Sequence, residues 1–153
     1  INKEYFDLLI KNKSFFEHAN IFDNFYGTLK KPVLQLLSNQ KDVLFDIDWQ
    51  GTQQLKKIKN LSIITFFILP PNIKTLKERL LNRHESQKAL IKQRMEKFSE
   101  EISHWNEYNY VVVNDDLNKC YNQILDIIIS EKKGKRQKQN ISEIKKKIEE
   151  LRV

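Results

Sequence analysis

The chain is poor in the residues that mark several protein classes. Its 153 residues hold one cysteine, three glycines, three prolines and one methionine. A single cysteine, Cys120, excludes a disulfide framework and a cysteine-rich zinc site, and it fits a reducing, cytoplasmic setting. No apolar run approaches the length of a membrane span, and no signal-peptide pattern is present. The scarcity of glycine is more telling. A phosphate-cradling loop of the G-x-x-x-x-G-K-[ST] type needs two glycines five apart, the second just before the lysine. Gly27, Gly51 and Gly134 are scattered, and the Gly134-Lys135 pair is followed by Arg136. No such loop exists in these residues. His18, His84 and His104 fall on unrelated elements and make no metal triad. Serine-histidine-aspartate catalysis has no nucleophile elbow here. The chain opens at Ile1 rather than at a methionine, which reads as a fragment of a longer protein.

What is present describes a soluble globular domain, with 40% apolar and 31% charged residues. The formal net charge is +7. From Glu131 to Val153 nine Lys/Arg face four Glu, or +5, which leaves +2 for the rest. So local an excess usually marks a solvated helical face, and a nucleic-acid partner is not expected. If one existed, binding to arbitrary DNA would weaken steeply with salt.

Short apolar runs alternate with helical patterns. Helices are predicted over Lys3–Asn12, Lys30–Asn39 and Trp49 to about Ile58. Further helices are predicted from Asn72, from Gln87 to about Glu107, over Leu117–Ser130 and from Ile141. Strands are predicted over Ser14–Phe22 and around Phe25-Tyr26, joined by the turn signal Asp23-Asn24, as a small antiparallel hairpin. Val43–Asp48, Ser62–Leu69 and Tyr110–Val113 read as strands buried on both faces, the habit of a parallel sheet. The expected class is α/β with a mainly parallel sheet.

The organising stretch is Val43 to Gly51, where an apolar run ends in Asp46 and Asp48. Ligands of parallel sheets bind at the carboxyl ends of strands, and paired carboxylates there suit magnesium or the donor edge of a base. Asp48 equally suits a helix N-cap. Glu17 sits inside an aromatic strand, an awkward place for a charge unless something donates to it. The N1–H and exocyclic amine of guanine would do so. Thr28 could donate to the guanine O6 and Tyr26 could bond a phosphate, though an edge-strand glutamate and a turn tyrosine are the commoner meanings. Arg79 and Arg83 share a helix face, and Arg94 follows on the next helix. They suit a clamp on transferring phosphates, or ordinary surface charge. Asn114, in the turn after the third buried run, could hold an adenine edge.

These pieces, in this order, resemble guanylate kinase, which transfers phosphate from ATP to GMP. They are Phe16-Glu17-His18-Ala19, Asn24-Phe25-Tyr26-Gly27-Thr28, Asp46-Ile47-Asp48-Trp49-Gln50-Gly51 and Phe67-Ile68-Leu69-Pro70-Pro71. Arg79-Leu80-Leu81-Asn82-Arg83, Arg94-Met95 and Val113-Asn114-Asp115-Asp116 continue the match, and Ser103-His104-Trp105 with Glu107-Tyr108 looks bacterial. The resemblance implies a three-layer nucleoside-monophosphate-kinase fold with a small β GMP-binding subdomain and a helical lid. It implies that Glu17, Thr28 and Asp48 read guanine and that Tyr26 holds the GMP phosphate. Asp46 would order Mg2+, Arg79, Arg83 and Arg94 would act in catalysis, and Asn114 would touch ATP. The implied divisions are 1–39 for GMP binding, 40–81 and 108–131 for the core, 82–107 for the lid and long helix, and 132–153 for a basic helical tail. The family's first strand and phosphate loop have no counterpart here, so the 153 residues are expected to be inactive alone. The missing strand would leave the Val43–Asp48 and Ser62–Leu69 strands with unpaired edges, and a marginal domain. His84 and Lys88 depart from the family's usual lid, and Phe25 replaces a common tyrosine. The expected small-molecule partners are GMP and ATP, with oligomeric state left open. The competing expectation is a non-catalytic guanylate-kinase-like interaction module, which needs no phosphate loop. Asp46, Asp48 and the three arginines favour the enzyme.

Overall fold

The computed structural model describes residues 1–22, 24–83 and 88–152. They form two compact units, Ile1–Ile63 and Ile64–Val153.

The first unit begins with helix α1 (Lys3–Lys11), whose Tyr5 N–H donates to the Asn2 side chain at 2.9 Å as an N-cap. Strands β1 (Phe15–Ile21) and β2 (Asn24–Leu29) pair antiparallel as the predicted hairpin, with Asp23 outside the described residues. Helix α2 (Lys30–Ser38) follows at once, with Pro32 tolerated in its first turn. The register of the hairpin shifts between Phe15 and Glu17. One inserted residue exchanges the two faces of a strand. Phe15 and His18 therefore share a face and meet Phe6 of α1, with ring centroids 4.8 and 6.3 Å away. Glu17 is released to the opposite face. Gly27 is needed on the aromatic side, because a Cβ there would lie 2.9 Å from the Phe15 ring.

Residues 43–48 do not form the predicted strand, because they have no ladder partner among the described residues. Nor are they buried on both faces. Val43, Phe45 and Ile47 pack toward Phe16, Val33 and Leu55, whereas Leu44 is 92% exposed. The period of two survives, but one face is open. Helix α3 (Trp49–Lys56) closes this unit.

In the second unit, β3 (Phe66–Leu69) and β4 (Tyr110–Val113) pair in parallel, Phe66 opposite Tyr110 through Leu69 opposite Val113. The predicted strand from Ser62 shortens to these four residues. Ahead of it, the Asn109 side chain already accepts from the N–H and hydroxyl of Thr65, both at 3.0 Å, and replaces a ladder. Asn72 caps α4 (Ile73–Arg83) as expected, taking the Thr75 N–H at 2.8 Å. That helix runs through Asn82 and Arg83, past the predicted break at Asn82. His84 to Gln87 lie outside the described residues. The long helix predicted from Gln87 is α5 (Lys88–Glu101) followed by a 3₁₀ turn over Ile102–Glu107. Ile102 stays buried through the change, so the apolar spacing was satisfied by a tighter turn. Helix α6 (Leu117–Lys132) covers Tyr110 and Val112 with Cys120 and Ile127. Helix α7 (Ile141–Leu151) covers Leu69, Ile102 and Val111 with Ile148 and Leu151. Full burial of such side chains contributes about 1.5–3 kcal/mol each.

Gln139 completes the edge of β4. Its amide oxygen accepts from the Val111 N–H at 2.9 Å, and its amide nitrogen donates to the Val111 carbonyl at 2.8 Å. Both backbone groups of a buried residue are thereby satisfied without a third strand. Gln139→Leu keeps the bulk and removes both bonds, so the chain is expected to lose about 1–2 kcal/mol. Urea unfolding with an unchanged slope and a lower midpoint is the measurement, and an unaltered midpoint would contradict it.

Tyr110 donates its buried hydroxyl to Glu131 and accepts from the Gln137 N–H at 3.3 Å. Burial, and then the Glu131 carboxylate, push its pKa above the usual tyrosine value. A raised pKa of this kind contributes stability below pH 10 that is lost as the pH climbs through the higher folded value. Tyr110→Phe should flatten that alkaline fall, read as melting temperature against pH. Burial likewise pushes the Cys120 thiol up, which leaves it inert rather than nucleophilic.

Candidate functional site

In the first unit the hairpin presents Glu17, Thr28 and Tyr26 on its polar face, opposite the aromatic side. Glu17 is 3% exposed, rare for a glutamate, and Thr28 directly across the ladder donates its hydroxyl to Glu17 Oε1 at 2.5 Å. Tyr26 is 54% exposed two residues before Thr28, its hydroxyl free to reach outward. The N-terminus of α3 abuts the same carboxylate. Glu17 Oε2 lies 2.7 Å from where a Cβ on Gly51 would sit. Asp48 caps this helix, taking the Gly51 N–H at 3.1 Å and the Gln50 side-chain amide at 3.0 Å. Of the two roles open to Asp48, the cap is present. Its carboxylate also stands beside the Glu17 site, through Gly51. Gln54, one turn on, ties α3 to β1. It donates to the His18 carbonyl at 2.7 Å and accepts from the His18 N–H at 3.1 Å.

Asp46 is exposed at the end of the extended segment. Among the described residues no group of three or more His, Cys, Asp or Glu converges as a metal cage. A lone accessible carboxylate still fits magnesium, which keeps most of its waters and takes other ligands from substrate phosphates.

In the second unit, Arg79 reaches the loop after β4 and donates to the carbonyls of Asn114 and Asp115 at 2.8 and 3.1 Å. The structure thus brings Arg79 and Asn114 together. Arg83 is exposed on the same face of α4, and α5, which carries a half-buried Arg94, packs against that helix. Asn114 itself is fixed by its N–H to the Leu69 carbonyl at 2.8 Å.

Sequence reasoning missed Gly51 and Gln54. For Gly51 a signal existed: glycine inside a helix costs about 0.5–1 kcal/mol relative to alanine, so its presence asks for a neighbour that forbids a side chain. Gln54 offered none, since an amide on a helix looks like any solvated residue.

A family model described as guanylate kinase matches residues 1–131. The chain belongs to the guanylate kinase family. A guanylate kinase of Paramagnetospirillum magneticum is 42% identical over 132 residues, covering 86% of this chain and 62% of the relative. One of Rickettsia prowazekii is 48% identical over 127 residues, covering 83% and 64%. The solved guanylate kinase of Anaplasma phagocytophilum superposes with a TM-score of 0.69 at 30% identity, covering 86% of this chain and 63% of that one. The chain therefore spans roughly three fifths to two thirds of the length of these guanylate kinases, and its mixed α/β fold is similar to that of the Anaplasma structure.

Proposed function

We propose that this chain is the GMP-binding and lid-bearing part of an enzyme that transfers the γ-phosphoryl group of ATP to GMP. The observation that carries the reading is the buried Glu17 carboxylate facing Thr28 on the polar side of the hairpin. A carboxylate matches the two adjacent donors of guanine, N1–H and the 2-amino group, and no such pair exists on adenine. The Thr28 hydroxyl has one proton. On guanine binding it turns from Glu17 to the O6 acceptor, and Glu17 exchanges one donor for two. Tyr26 takes the 5′-phosphate and Asp48 assists at the base.

Arg79, Arg83 and Arg94 supply positive charge to the transferring phosphoryl group, and Asn114 meets the adenine. The contacts of Arg79 with the 114–115 carbonyls support a role in shaping that loop as well. Magnesium, bound with ATP, would neutralise phosphate charge and be ordered from Asp46. Residues 1–39 form part of the GMP-binding region, 40–81 and 108–131 the core, and 82–107 the lid, with a basic tail from 132. The setting is cytoplasmic. Among the described residues no helix is long and apolar enough to cross a membrane.

The test is calorimetric titration of the 153-residue chain with GMP, AMP and UMP. Saturable binding of GMP alone is expected, and equal heats from all three would overturn the reading.

A further inference from the structure

Glu17 can read a base only if its carboxylate stays where the β1–β2 ladder puts it. Two kinds of contact hold it. Thr28 fixes Oε1 through a 2.5 Å hydrogen bond. On the other side Oε2 fits against the bare Cα of Gly51, in the first turn of α3. A methyl group there would sit 2.7 Å from Oε2, 3.3 Å from the carboxyl carbon and 3.2 Å from the Ile47 Cβ. A methyl carbon under 3.0 Å from a carboxylate oxygen is in steric overlap, so one partner must move. α3 is not free to retreat. Gln54 bonds both backbone groups of His18, the residue next to Glu17, and the Asp48 cap fixes the first turn. Ile47 belongs to the packed cluster with Phe16, Val33 and Leu55. The group that gives way is therefore the Glu17 side chain.

We propose that Gly51 is the positioning residue for base selectivity: it leaves the space that holds the Glu17 carboxylate, and Gln54 locks α3 at that distance. The proposal rests on the GMP reading for its ligand, but the contact itself can be tested without one. The location of Oε2 matters most for the 2-amino group, since a monodentate carboxylate can still meet N1–H alone. Inosine monophosphate has N1–H and O6 but lacks the 2-amino group, so it isolates this effect.

The experiment has two arms on the 153-residue chain. In the first, GMP and IMP are titrated into the parent and into Gly51→Ala. The parent should prefer GMP. The variant should lose GMP affinity about tenfold or more while IMP binding changes far less, because one hydrogen-bond partner of the base is displaced. A general loosening of the fold would weaken both nucleotides alike and keep their ratio, and that result would overturn the proposal. In the second arm, Gly51→Ala is combined with Glu17→Asp in a double-mutant cycle read by urea unfolding without nucleotide. Shortening the side chain withdraws the carboxylate, so Gly51→Ala should destabilise the Glu17→Asp background clearly less than the parent. Additive losses would show that Gly51 and Glu17 do not press on each other. Gln54→Leu, which leaves both Gly51 and Glu17 in place, should also narrow the GMP/IMP ratio by freeing α3. If the parent shows no preference for GMP over IMP, the selectivity assignment falls, whereas coupling in the cycle would still establish the contact.

Discussion

Residues 1–153, purified alone, are expected to transfer no phosphate from ATP to GMP above background. Phosphoryl transfer in nucleotide kinases depends on backbone N–H groups and a lysine gathered around the donor's phosphates. Gly27, Gly51 and Gly134 cannot form that cradle, and each has a local reason to exist. Gly27 lies under the Phe15 ring, Gly51 lies against Glu17, and Gly134 ends α6 at φ 69°. A chimera that joins the phosphate-loop segment of a guanylate kinase relative ahead of Ile1 should form ADP with GMP, ATP and magnesium. In that chimera Arg94→Ala should lower kcat by about 10²–10³ with little change in GMP affinity, because the charge it meets develops in the transition state. Coupled ADP assays on the three proteins decide the matter. Turnover by the bare chain equal to that of the chimera would show that the cradle argument is wrong.

The second large effect belongs to Glu17. Glu17→Ala should weaken GMP binding by about 1–3 kcal/mol, since it leaves two base donors without an acceptor. The same change should cost the unliganded fold little beyond the Thr28 bond, so melting and affinity separate. Glu17→Gln is the sharper variant. Its amide keeps the volume but turns a donor toward the 2-amino group, where only an acceptor serves. It should bind GMP no better than Glu17→Ala, by calorimetry against AMP as the reference. Affinity retained in Glu17→Gln would mean the carboxylate is structural.

Much of this was legible in the residues. A glutamate amid Phe15, Phe16 and Phe25 announces an internal polar partner, and Thr28 provides it. Asp48 before Trp49 reads as a cap and is one. The failures share a cause. Whether Val43–Asp48 is a strand is decided by a neighbour, and an apolar run carries no information on whether one is beside it. Likewise the spacing of Ile91, Phe98, Ile102 and Trp105 suits an α-helix or a helix tightened at its end. Arg79 could be placed on a helix face, but its bonds to carbonyls 35 and 36 residues away could not be read from pattern.

Gln54 and Gln139 each bond both backbone groups of a residue in β1 and β4. In isotope-exchange experiments the His18 and Val111 amides should therefore behave as interior sheet amides, slow to take up deuterium. Their lifetimes would report the opening of a side chain rather than the separation of two strands. Conversion of either glutamine to glutamate, as slow hydrolysis of the amide produces, would set an oxygen against the strand carbonyl where a donor now stands. Such a change adds a single mass unit, and it would unlatch His18 or Val111 at once.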